Sequence, residues 1–140
     1  MEKEKTKKKL FVSLPMTGRN DEDVIKRMNE VLHIVNYYAG FDNEFELINT
    51  MEPDPEPEGV VNHCWYLGQS IQKLAMADLI VFDYDYISAN GCAIEKHIAL
   101  LYNIPSAFMS VKNTLLVPDD ISKPEIDTLD VPIILHKVND

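Results

Sequence analysis

Between Asp78 and Tyr86 the chain reads DLIVFDYDY, a continuous apolar run followed by alternating acids and tyrosines. An unbroken apolar run of strand length predicts a central parallel strand buried on both faces. KLFVSLP, Lys9 to Pro15, predicts another strand, ended by its proline, and the MTGRN that follows must be a loop. The period then changes. Val24, Ile25, Met28, Val31, Leu32 and Val35 recur at helical spacing, behind Asn20 or Asp21 as N-cap and an acidic DED where the helix dipole favours negative charge. Gly40 is the expected C-terminal cap of this helix, and FELINT, Phe45 to Thr50, reads as a second strand.

MEPDPEPEG, Met51 to Gly59, holds three prolines and four acids in nine residues, which makes it a loop. Beyond it Leu67, Ile71, Leu74 and Ala75 share one face of a helix expected from about His63 to Ala77. The stretch ISANGCAIEKHIALLY then predicts a third helix, with Gly91 at the turn and Ile94, Ile98 and Leu101 marking its buried face. IPSAFMSV supplies a fourth strand, and VPIILHKV near the C-terminus is a candidate fifth. Strands alternating with helices imply right-handed crossovers, so the expected architecture is α/β: a three-layer flavodoxin-like or Rossmann-like sandwich around a mostly parallel sheet of four to five strands.

At 140 residues the chain suits one domain, taken as 9–140 behind a flexible lysine-rich leader, 1–8. A net charge of −10 argues against binding a nucleic acid polymer, which needs a basic face. No apolar stretch approaches the roughly 20 residues of a membrane span and the start lacks a secretory signal's apolar segment, so no membrane association and a cytoplasmic protein are expected. Cys64 and Cys92 form no Cys-x-x-Cys pair, and His33, His63, His97 and His136 lack metal-ligand spacing, so no metal is expected.

In an open α/β sheet, ligands bind beyond the carboxyl ends of the strands. Three segments reach that edge: SLPMTGR, NTMEPDPEPEG and YDYISANGCAIE. In the first, Ser13, Thr17, Gly18 and Arg19 lead into a helix N-terminus and suit an anion; equally, Thr17 and Gly18 form a turn while Arg19 pairs with the acids at 21 to 23. Glu95 falls in the first turn of the third helix, where a carboxylate reads as a dipole stabiliser before it reads as a catalytic group. Asp83 and Asp85 face either the site or solvent. Trp65 and Tyr66 are base-stacking candidates that read more readily as packing, and His97 lies off the Glu95 face.

Taken together, FVSLPMTGR, WYLGQSIQKLAMADLIVF and GCAIEKHIA resemble the nucleoside 2-deoxyribosyltransferase superfamily, most of all its small bacterial and phage branch of DUF4406 type. The resemblance runs from about Lys9 to Val111. It implies that Glu95 is the nucleophile at the sugar C1′ of a nucleoside or nucleotide, with base exchange or hydrolysis as the outcome. It also implies that the loop Ser13, Leu14, Pro15, Met16, Thr17, Gly18 and Arg19 holds the substrate or its 5′-phosphate, that no cofactor is needed, and that the chain forms a homodimer or larger homo-oligomer. Ser70 stands where the family carries a substrate-contacting aspartate. The polar residue expected six positions before the glutamate is Ala89 here, flanked by Ser88 and Asn90, with Gly91 next. Ser70, Asp83, Ser88, Asn90 and Gly91 complete the expected substrate contacts. The serine at 70 also leaves room for a second reading, a non-catalytic nucleotide sensor or sequestering protein with the same pocket.

Overall fold

The computed structural model describes residues 7–39 and 44–117. Among these residues run β1 (Lys8–Ser13), α1 (Asp21–Ala39), β2 (Phe45–Leu47), α2 (Asn62–Leu74), β3 (Leu79–Phe82), a 3-10 turn (Tyr86–Ser88), α3 (Asn90–Leu101), β4 (Ser106–Met109) and β5 (Leu115–Leu116). The sheet order is β2-β1-β3-β4-β5, parallel except for β5, which runs antiparallel to β4. This is the three-layer flavodoxin-like or Rossmann-like sandwich, and strand order reverses between β1 and β3.

Strand alternation sorts the core into two halves. Leu10, Val12, Leu79, Val81, Ala107 and Met109 pack against the α1 stripe Val24, Met28, Val31 and Val35. Phe11, Ile80, Phe82 and Phe108 face the other way and pack with Leu74 of α2 and Ala99 of α3. β3 lies at the centre, and all of Leu79, Ile80, Val81 and Phe82 are buried, as a continuous apolar run requires.

Local chemistry accounts for the ends. Asn20 is the N-cap of α1: its Oδ1 accepts from the Asp23 N–H at 2.9 Å, ahead of the acidic first turn. The short edge strand β2 is held from outside by a side chain, since Asn36 Oδ1 accepts from the Phe45 N–H at 2.6 Å and Asn36 Nδ2 donates to the Phe45 carbonyl at 3.2 Å.

Several expectations are corrected. Lys8 belongs to β1 and pairs with Phe45, so it is part of the sheet and not of a leader. β2 stops at Leu47 because the chain turns into the loop leading to the proline run. α2 begins one residue early, at Asn62, and ends at Leu74. The fifth described strand comes from Leu115–Leu116, on a hairpin closed by the Thr114 carbonyl and the Ser110 N–H at 2.9 Å. The Gly40 cap and the VPIILHKV strand lie outside the described residues.

The largest correction concerns α3. Its buried residues are Cys92, Glu95 and Ala99, while Ile94 is 41% and Leu101 62% exposed. Small side chains at Cys92 and Ala99 let the helix sit close to the Phe82 and Phe108 side of the sheet, and Lys96 lays its ammonium 5.6 Å from the ring centroids of both Tyr86 and Phe108. That seating turns the Ile94 and Leu101 stripe outward.

Replacing Asn36 with alanine removes both bonds to the edge strand without touching the apolar core. The expected loss is about 1 to 2 kcal/mol of unfolding free energy, read from the midpoint of a urea titration at unchanged m-value.

Candidate functional site

Ser13 is the last residue of β1, and alternation after Phe11 turns its side chain toward α2 and α3. There it donates to Glu95 Oε1 at 2.6 Å. Ser70, on α2, donates to Glu95 Oε2 at 2.7 Å. A strand and two helices thus meet on one carboxylate that is only 6% exposed. Glu95 is the sixth residue of α3, in its second turn, and no acid occupies the first. The dipole-stabiliser reading therefore does not apply, since that effect fades beyond the first turn.

Burial pushes the Glu95 carboxyl above its ordinary range, and the Ser13 and Ser70 hydroxyls, which favour the ionised form, oppose the rise. One turn earlier, burial pushes the Cys92 thiol up to about 11, against the contact with Ser13. Cys64 and Cys92 are both free, Cys92 buried and Cys64 exposed at the cleft rim.

Above Glu95 opens a cleft of about 820 Å³ at the carboxyl edge of the sheet, beside the point where strand order reverses. Ser13, Leu14, Pro15, Met16 and Thr17 form one wall; Ser88, Asn90 and Gly91 form another; Ser70 and Glu95 lie at the floor. Gly91 is within α3 and not at a turn, and a Cβ there would meet Leu67 at an ordinary 3.8 Å, so no close backbone approach depends on it. Ser88 donates its hydroxyl to the Asp85 carbonyl at 2.9 Å, which steadies the turn before α3.

Three expected contacts lie elsewhere. Gly18 (φ +80°) is the third residue of a turn closed by the Arg19 N–H on the Met16 carbonyl at 3.1 Å, a position that favours glycine. Arg19 Nη1 donates to the Pro15 carbonyl at 3.0 Å and stands 4.0 Å from Asp85 Oδ2, so it ties the loop after β1 to the loop after β3. Neither Gly18 nor Arg19 lines the cleft, and the partner of Arg19 is Asp85, not the acids at 21 to 23. Asp83 is directed neither to cleft nor to solvent. It follows Phe82, so alternation sends it to the α1 side, where Arg27 grips it with Nε to Oδ2 at 2.8 Å and Nη2 to Oδ1 at 2.7 Å. The same bonds raise the pKa of the Arg27 guanidinium.

Arg27 was legible but missed: it lies three residues after Val24 and four before Val31, a charge on the buried stripe of α1. Of the other wall residues, Thr50 lies in the second segment expected at the ligand edge, while His63, Cys64 and Leu67 carried no signal that placed them at a site. The aromatic pair is spent on the acidic loop. Trp65 Nε1 donates to the Asp54 carbonyl at 2.9 Å, Gln69 accepts from the Asp54 N–H at 2.7 Å and donates to its carbonyl at 3.0 Å, and the Tyr66 hydroxyl bonds Glu56. Tyr66 still forms part of the cleft wall. Among the described residues no group of three His, Cys, Asp or Glu gathers as a metal site, and no helix is long and apolar enough to cross a membrane.

Two variants check these assignments. A carboxyl whose folded pKa lies above its unfolded value has its full stability below the unfolded value, about 4.3, and loses it as pH rises through the folded one. Glu95→Gln escapes that loss, since its amide can bond both serines. Its melting temperature is expected above wild type at pH 7, by the equivalent of about 1 kcal/mol, with the gap shrinking toward pH 4 in calorimetry. Asp83→Asn leaves Arg27 half-matched in a buried position; a loss of about 3 kcal/mol by denaturant unfolding is expected.

No protein-family model matches the chain and no curated protein matches it. Its fold is similar to the solved structure of a conserved protein from Enterococcus faecalis V583, at a TM-score of 0.52 and 13% identity, over 74% of this chain and 64% of that one. The match thus spans just under two thirds of that protein's length, and at this identity it shows the α/β fold alone.

Proposed function

We propose that the protein cleaves or exchanges the N-glycosidic bond of a nucleoside or nucleotide, with Glu95 as nucleophile at the sugar C1′, in the manner of the nucleoside 2-deoxyribosyltransferase superfamily. One observation carries the reading: a single buried carboxylate at the floor of a cleft on the sheet's ligand edge, held by hydroxyls from β1 and α2. Two neutral donors orient the carboxylate and favour its ionised form without cancelling its charge, which is the state a nucleophile needs. Attack would form a glycosyl ester through an oxocarbenium-like transition state, and water or a second base would then take the sugar.

The near-complete burial of Glu95, with both oxygens already bonded, favours one competing reading. In it the carboxylate is an internal anchor and the cleft binds a nucleotide without turning it over. Either role suits one chain or a homo-oligomer.

Incubation with a panel of deoxynucleosides, ribonucleosides and nucleoside 5′-monophosphates, with free base read by chromatography, decides between them. Base release that disappears in Glu95→Gln is expected; tight binding with no turnover of any N-glycoside, whether its base is neutral or cationic, sinks the glycosidic reading. Because the nucleophile must be ionised and burial raises its pKa, activity should fall on the acid side at a higher pH than an ordinary carboxyl dictates. Ser70→Ala should move that acid limb further up, since it removes a donor to the ionised form.

A further inference from the structure

Resting on the reading of Glu95 as nucleophile, we propose that the cleft is built for N-glycosides whose base carries a positive charge, such as a pyridinium or an N-alkylated purine, which departs neutral and needs no proton.

An ordinary nucleobase leaves as a nitrogen anion unless an acid protonates it, and delivery of that proton is worth about 10²- to 10⁴-fold. The hydroxyls that touch Glu95 are committed to it, and the unpartnered Thr50 hydroxyl on the cleft wall is an alcohol, too weak an acid to protonate a departing base. Ser13 gives its proton to Oε1 and Ser70 gives its proton to Oε2. The Cys92 thiol is buried and, at about 11, a poor acid near neutrality. The Tyr66 hydroxyl is engaged by Glu56. His63 lies seven residues from Ser70 on α2, about 10 Å along the axis, exposed at the rim. Position 70, on the helix facing the nucleophile and in contact with it at 2.7 Å, carries a serine and not a carboxylic acid.

The charges agree. Among the described residues that line the cleft, Glu95 is the charged side chain; Arg19 is held at the Pro15 carbonyl and Asp85, outside the cleft. The acidic loop is fastened to α2 at Trp65, Tyr66 and Gln69, and the Glu56 carboxylate stands against Tyr66 of the cleft wall. A cleft with a carboxylate floor and acidic surroundings draws cations.

The step balances without a further reactant. Glu95 attacks C1′, the C1′–N bond breaks, and its electron pair neutralises the cationic ring, which leaves as a neutral base. Water then attacks C1′ of the glycosyl ester, the carboxylate is released, and the proton of that water passes to solvent.

The test uses matched pairs that differ by one methyl group and one charge: 7-methylguanosine against guanosine, and the two 2′-deoxy counterparts, with nicotinamide riboside as a further cation. Base release is followed for wild type, with the Glu95→Gln rate subtracted. The cationic member is expected to show at least a 100-fold higher kcat/KM than its neutral partner. Ser70→Asp is expected to narrow that gap at least tenfold, because a second carboxyl against Glu95 retains its proton. A neutral partner cleaved within tenfold of the cationic one overturns this inference and leaves the glycosidic reading standing. Cleavage of neither member overturns both.

Discussion

A carboxylate taken out of water needs donors on both oxygens, and satisfying Glu95 governs how the rest of the site is built. β1 must end with residue 13 facing α2 and α3, so that Ser13 reaches one oxygen; α2 must present Ser70 to the other. α3 must then roll until Glu95 points inward between Cys92 and Ala99. The roll leaves an apolar stripe in water, although those residues would favour burial. Apolar burial at Ile94 and Leu101, about 1.5 to 3 kcal/mol for each side chain if complete, is forgone so that one charged group can be placed. Such a local conflict is characteristic of a site shaped by chemistry.

A second carboxylate, Asp83, stands close by in the chain but on the opposite side of the sheet, and it is treated differently. The Arg27 fork neutralises it, the Tyr84 N–H adds a third bond at 2.9 Å, and Arg27 Nη1 reaches on to Asn113 Oδ1 at 2.8 Å in the hairpin after β4. The Asp83 N–H meanwhile donates to the Ser13 carbonyl at 2.9 Å. The backbone that carries one carboxylate's partner is therefore pinned by the residue that carries the other. Asp83 is matched by a full charge and is structural. Glu95 is held by neutral hydroxyls, which leave its charge uncancelled.

The fold was open to reading because its signals are periodic and redundant. LIVF at 79 to 82 allows little except a strand buried on both faces, and the stripe from Val24 to Val35 defines α1. The site was read less evenly. Ser13, Met16 and Thr17 follow from knowing which strand ends carry loops, whereas Glu95 alone reads as a helix stabiliser and only the family resemblance marks it as a site residue. The rotation of α3 could not be read, since Ile94, Ile98 and Leu101 form a better apolar face than Cys92, Glu95 and Ala99. Only the partners on β1 and α2, far away in sequence, reverse that preference. Arg19 and Asp83 were assigned to ligand because their positions suited it, and long-range ion pairs with Asp85 and Arg27 had claimed them first.

The acidic loop, with its prolines, has little reason to stay against the body of the protein, yet three side chains on two successive turns of α2 fasten it there. One of them is the chain's single tryptophan. Trp65 fluorescence is therefore an intrinsic gauge of whether this loop is docked. Its emission will move to the red when the indole N–H exchanges the Asp54 carbonyl for water, so the wall beside the cleft can be watched in real time without attaching a label.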